Sequence, residues 1–195
     1  LDRLADAGAV LEPVDEPELE QVDARMGYAI VLCEAARWWH HFAADRLGMS
    51  LMDLAEEIAS RDVRDLFERL EALSIGLRPD CQAAMAHGRP ALQARCASIF
   101  AERSLDALLT ATVPVQPPFV GEDDDLVADG VALPTFPTLT EACALAAVAG
   151  LPSLSIPAGL DAGGLPVGLL LDGPAGGDRR LLAVGAAVER VVGMR

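Results

Sequence analysis

The sequence predicts an α/β fold whose first half is helical and whose second half carries short strands ordered by glycine and proline. Three observations predict it. Apolar residues recur at three- and four-residue spacing through residues 18–104. Compact apolar runs of strand length follow at 107–111, 154–156 and 167–171. Glycine and proline punctuate the chain closely between 150 and 180. With 52% apolar side chains among 195 residues, the chain has ample material for a core.

Residues 1–7 read as a helix end, closed by Gly8 where a left-handed conformation is easiest. The apolar stretch 9–14 reads as a short strand. Asp15 and Pro17 then signal a helix start, with a cap candidate and a proline in the first turn. The helical pattern of 18–47 is apolar nearly all round between 28 and 42, which predicts burial on more than one side. Leu51, Leu54, Ala55 and Ile58 keep helical spacing, and Val63, Leu66, Phe67 and Leu70 repeat it after possible caps at Ser60 and Asp62. A further helix is expected over 79–103, interrupted near Gly88 and Pro90.

The pattern changes near Asp106. Residues 107–111 form a compact apolar strand, after which the prolines of 112–118 forbid regular pairing. The stretch from there to Pro137 reads as a long ordered loop of the kind that lines a site. A helix is expected over 139–149, ended by Gly150, followed by two buried strands at 154–156 and 167–171. Asp178 is expected to cap a last helix whose apolar residues at 181, 184, 188, 191 and 192 form one face. So few strands look like one edge of a larger sheet.

The net charge of −15 makes nucleic acid a poor partner, since phosphate binding needs a basic stripe. All fifteen basic residues are arginine, so chemistry that needs a lysine is excluded within these residues. No run approaches the ~18 apolar residues of a membrane span, so no membrane partner is expected. Cys33, Cys81, Cys96 and Cys143 form no CxxC pair, which fits a reducing cytoplasm and argues against a zinc module. The adjacent His40 and His41 point apart on a helix and chelate poorly, and HExxH is absent. Trp38 and Trp39 read as anchors in the core or at an interface. The acidic run 122–125 lacks the spaced ligands of a calcium loop and reads as a solvated loop tip. Ser153 and Ser155 are expected to alternate across a strand, without a visible base.

The most patterned segment is Gly150-Leu-Pro-Ser-Leu-Ser-Ile-Pro-Ala-Gly159, then Gly164-Leu-Pro-Val-Gly-Leu-Leu-Leu-Asp-Gly-Pro174, then Asp178-Arg-Arg-Leu-Leu182. This order resembles the C-terminal part of the amidase-signature family of amide hydrolases. Thr112-Val-Pro114 resembles that family's Pro-Thr-x-Pro element, and residues 4–15 look like the helix and strand after its catalytic core. The resemblance covers essentially the whole chain and is strongest over 105–192. Within the family, Pro134-Thr-Phe136, Ala149-Gly-Leu-Pro152 and residues 172–182 are most similar to the mandelamide and indoleacetamide hydrolase group.

The resemblance implies the C-terminal part of a single mixed-sheet amidase domain, mainly helical over 1–104, with loop, strands and closing helix over 105–195. It implies a cytoplasmic enzyme that hydrolyses a linear carboxamide, aryl-substituted ones included, to carboxylate and ammonia. In the family a serine, a second serine on a cis peptide and a lysine do the chemistry, and they lie in the N-terminal half. No residue here matches that glycine/serine-rich loop, so no catalytic residue is carried over, and this chain alone is expected to be inactive. Substrate-binding positions are carried over to Thr135, Phe136, Thr140 and Cys143. Relatives often place an Asn before the Gly-Leu-Pro turn, where this chain has Ala147-Val-Ala149. No cofactor or metal is implied. The expected partners are the amide substrate and the N-terminal half, with homodimerisation left open. The rival expectations are a non-catalytic remnant and an independent helical interaction module over 18–104.

Overall fold

The computed structural model describes residues 1–16, 19, 26–59, 61–121 and 125–193, without the side chain of Asp62. In chain order its elements are α1 (Asp2–Asp6), α2 (Tyr28–Phe42), α3 (Leu51–Glu56), α4 (Arg61–Gly76), α5 (Arg78–Ala83) and α6 (Arg89–Glu102). Then follow β1 (Leu108–Ala111), β2 (Asp125–Ala128), β3 (Val131–Pro134), α7 (Thr135–Ala149), β4 (Ser153–Leu160), β5 (Pro166–Asp172) and α8 (Asp178–Val192). The chain divides into two compact units, Leu1–Gln21 with Ala91–Arg195, and Val22–Pro90. The expected helix start at Pro17, the Ser60 cap, the Asp62 side chain and the acidic residues 122–124 lie outside the described residues.

In the unit Val22–Pro90, Leu32 and Ala36 of α2 meet Leu51 of α3 and Leu70 of α4 in a core flanked by Trp39, Leu54 and Phe67. The two tryptophans separate. Trp39 packs edge-on against Phe67 at 5.3 Å between ring centroids, whereas Trp38 is 56% exposed and stacks on Phe42. Helix α3 starts at a reciprocal cap. The Ser50 hydroxyl accepts from the Asp53 N–H at 3.1 Å, and the Asp53 carboxylate accepts from the Ser50 N–H at 2.9 Å. These bonds hold the Asp53 carboxyl below its ordinary value. The expected interruption near Gly88 takes the form of a π-helical turn, Ala84–Gly88, because Pro90 has no N–H to donate.

In the other unit, three antiparallel strands lie in the order β1-β5-β4, with β5 central. Leu154, Ile156 and Ala158 alternate onto the face covered by α8 and meet Leu171, Leu181, Val184, Val188 and Val192. The apolar face predicted for the last helix is thus the one that packs. Gly185 is where α8 approaches the sheet, since a Cβ there would collide with Leu154. Arg3 of α1 donates to the carbonyls of Val191 and Val192 and closes the C-terminus of α8.

Five sequence expectations are corrected. Residues 9–14 are not a strand; Glu12 and Glu16 tie this segment to α6 by ion pairs to Arg103 (2.8 Å) and Arg95 (2.5 Å) in place of a ladder. The expected long loop contains the β2–β3 hairpin, whose Asp129-Gly130 turn has φ of 51° and 78°, the pair of positive angles that a two-residue hairpin demands. Helix α7 begins at Thr135, with Pro137 tolerated in its first turn. Gly177 is the N-cap of α8 and makes no side-chain cap bond; Asp178 lies one residue inside, where its charge faces the positive end of the helix dipole. Ser153 and Ser155, two residues apart, share one face of β4.

Candidate functional site

Helix α7 carries all four sequence-predicted site residues and sorts them by face. Phe136, Thr140 and Cys143 follow i, i+4, i+7 spacing and form an exposed stripe, with Phe136 71% exposed. Thr135 lies on the other side, only 7% exposed, so it packs while the other three face outward. The Thr140 hydroxyl donates to the carbonyl of Phe136 at 2.9 Å, one turn back along the helix. Gly150, at φ +74°, ends the helix, and Gln93 of α6 donates to the Ala149 carbonyl at 2.9 Å. The helix presenting this stripe is therefore pinned at its C-terminus.

At the end of the central strand the structure shows a residue that the sequence argument missed. Asp172 ends the central strand β5, lies opposite Leu108 on one side and Ser153 on the other, and is only 4% exposed. The Ser153 hydroxyl donates to it at 2.5 Å. Burial pushes the Asp172 carboxyl above its ordinary value, and the Ser153 bond offsets part of that rise. Buried Cys96 of α6 is pushed up likewise, first by burial and then by the Asp172 charge. A carboxyl whose folded value is raised favours folding when protonated, so its contribution is present at low pH and lost as pH rises through the folded value, above 3.8. Asp172→Asn is expected to be more stable than the parent, by a margin that grows as pH rises above 3.8 and levels off once the folded carboxyl is ionised. Urea midpoints of both proteins across that range check it; a margin independent of pH would exclude a buried, titrating Asp172.

Nearer the other end of β5 a second polar contact crosses over the strand. Thr112 Oγ1 lies 2.6 Å from Ser155 Oγ, above Gly168 of β5. In the connection from β4 to β5, Asp161 accepts from the N–H groups of Gly163 and Leu165, both at 2.8 Å, and from Gln116 at 2.7 Å. These donors hold the Asp161 carboxyl below its ordinary value. Both contacts join the proline-rich segment after β1 to the β4–β5 pair. Among the described residues, no group of three His, Cys, Asp or Glu side chains stands close enough to hold a metal, and no helix is long and apolar enough to cross a membrane.

This arrangement of a Gly-Leu-Pro strand pair, a sheet edge and a closing helix coincides with a known family. The Amidase family model matches residues 1–182. The chain belongs to the amidase family. Indoleacetamide hydrolase of Agrobacterium vitis is 34% identical to it over 98% of this chain and 41% of the relative. Mandelamide hydrolase of Pseudomonas putida is 28% identical over 99% of this chain and 39% of the relative. A crystal structure of an amidase superposes with a TM-score of 0.78 at 28% identity, covering 99% of this chain and 40% of that one. The α/β fold is thus that of amidase-signature enzymes, and this amidase chain spans about two fifths of the length of the relatives it matches. The signal that could have exposed Asp172 in this amidase sequence is the carboxylate closing the apolar run Leu169-Leu-Leu171, a position that strands bury.

Proposed function

We propose that this chain completes the sheet and one wall of the substrate pocket of an amide hydrolase that cleaves a linear carboxamide, aryl-substituted ones included, to carboxylate and ammonia. The observation that carries the proposal is the likeness, over 98% of this chain, to an indoleacetamide hydrolase of which it covers 41%. In this proposal a serine nucleophile, a second serine on a cis peptide and a lysine come from a segment N-terminal to Leu1, since this chain holds no lysine. The enzyme acts in the cytoplasm. Two features support the proposal. β1 and β4 each have one strand neighbour among the described residues, so both sheet edges are free to continue. Phe119, Val120, Val127, Val131 and Phe136 are exposed large apolar residues within one stretch of chain, a surface suited to being covered.

In this scheme Phe136, Thr140 and Cys143 face the acyl side of the substrate and Thr135 holds the first turn of α7. The first test is the coding sequence upstream of Leu1, expected to encode a Gly-Gly-Ser-Ser-Gly-Gly-Ser-like loop preceded by a lysine. A stop codon or unrelated sequence there would sink the enzyme and favour a non-catalytic remnant. The second test is Phe136→Ala in the complete enzyme. Loss of a ring contact worth about 1 kcal/mol is expected to raise KM for an arylacetamide roughly fivefold, with kcat little changed. Unchanged steady-state constants on indoleacetamide and mandelamide alike would remove Phe136 from the pocket.

A further inference from the structure

The four cysteines look scattered in the sequence, yet the fold of the unit Val22–Pro90 brings two of them together. Cys33 on α2 and Cys81 on α5 line one cleft of about 390 Å³, open to solvent. Helices α2 and α5 pack on each other, and each contributes one cysteine to the same cleft. The Cys33 thiol also donates to the Ser74 carbonyl of α4 at 3.5 Å. Both cysteines are free and half-buried. By contrast, Cys96 is fully buried and Cys143 sits exposed on α7.

We propose that Cys33 and Cys81 are a reversible redox pair, a dithiol that closes to a disulfide between α2 and α5 when a peroxide enters the cleft. The shared cleft between two packed helices carries this, because helices already packed together need little movement to bring sulfur to bonding distance. In the first step one thiol gives up its proton and its sulfur attacks a peroxide oxygen. The O–O bond breaks, a sulfenic acid forms, and the departing hydroxide takes the proton to become water. The second thiol then attacks the sulfenic sulfur. The S–S bond forms, the S–O bond breaks, and the oxygen leaves as a second water carrying the remaining two protons. A small dithiol reverses the bond by exchange.

The surroundings set the rate. Burial first, then the neighbouring Cys81, push the Cys33 thiol up, while the Arg78 guanidinium opposes the rise. Arg37, His40 and His41 from α2 and Glu71 from α4 are the other charged or titratable groups lining the cleft. Since the thiolate is the nucleophile, oxidation is expected to speed up as pH rises.

The test treats the full chain with hydrogen peroxide, blocks remaining thiols under denaturing conditions and maps the peptides by mass. The expected product is a Cys33–Cys81 cross-linked peptide pair, lighter by two hydrogens and restored by dithiothreitol, with Cys143 left outside any cross-link. Cys81→Ser is expected to abolish the cross-link and leave Cys33 open to glutathione adducts. If Cys81→Ser does not fold, the map of the parent protein decides alone. Recovery of Cys33 and Cys81 as separate blocked thiols after Cys143 is fully oxidised would overturn the proposal. So would a cross-link that uses Cys96 or Cys143 in place of either.

Discussion

Leu171→Ala is expected to lower the stability of the unit built on β5 by about 3 kcal/mol. Leu171 is 1% exposed on the central strand and stands between Leu109 of β1 and Leu154 of β4. Its side chain packs in the cluster of Ile156, Leu181 and Val192 that joins the sheet to α8 and α1. Truncation removes the transfer energy of the lost carbons and leaves a cavity bounded by strands on both sides, which collapse poorly. Leu182, 61% exposed on the neighbouring turn of α8, is the control, and Leu182→Ala should stay within about 0.5 kcal/mol of the parent. Urea unfolding of the complete protein checks the pair. A loss below about 1 kcal/mol for Leu171→Ala would mean that this sheet face is not the core.

The second large effect is expected at Gly168. A Cβ there would stand 2.6 Å from Thr112 Oγ1, 3.0 Å from Thr112 Cβ and 3.2 Å from Ser155 Oγ. Real Cβ atoms do not tolerate the first of these distances, so Gly168→Ala must displace Thr112 and break its contact with Ser155. The expected loss is about 2 kcal/mol, the range for overpacking a well-fitted site. Thr112→Ala removes the colliding oxygen and should restore part of that loss. The double variant is therefore expected to be more stable than the sum of the singles predicts, by at least about 0.5 kcal/mol. Strict additivity in a double-mutant cycle would show that Gly168 and Thr112 do not touch.

The features legible in the sequence are those set by local stereochemistry. The closing helix was readable because 181, 184, 188, 191 and 192 repeat at helical period, and these residues do meet the sheet. The stop at Gly150 was readable because α7 ends in a left-handed residue, which glycine adopts without strain. The β2–β3 hairpin carried an equally local signal in Asp129-Gly130, but Pro134 and Pro137 nearby argue for a loop, and they obscured it. Pro134 closes β3 at its end, and Pro137 sits in the first turn of α7, positions where a missing N–H costs little.

For the site, sequence and family resemblance nominated α7 but did not distinguish Thr135, which is buried, from Phe136, Thr140 and Cys143, which share an outer stripe. That distinction depends on which side of α7 packs, and its weakly patterned composition, rich in alanine and threonine, leaves the side undecided.

By itself, then, the sequence determined the helices, the glycine stops, the strand pair after Gly150 and the lack of lysine. Those follow from backbone preferences, periodicity and composition, which act over a few residues. Only the tertiary structure decided that Asp172 is a buried carboxyl beside Ser153, that Thr112 meets Ser155 over Gly168, and that Cys33 and Cys81 line one cleft. Each of these joins residues distant in the chain, and burial and charge coupling exist only once strands and helices have been brought side by side.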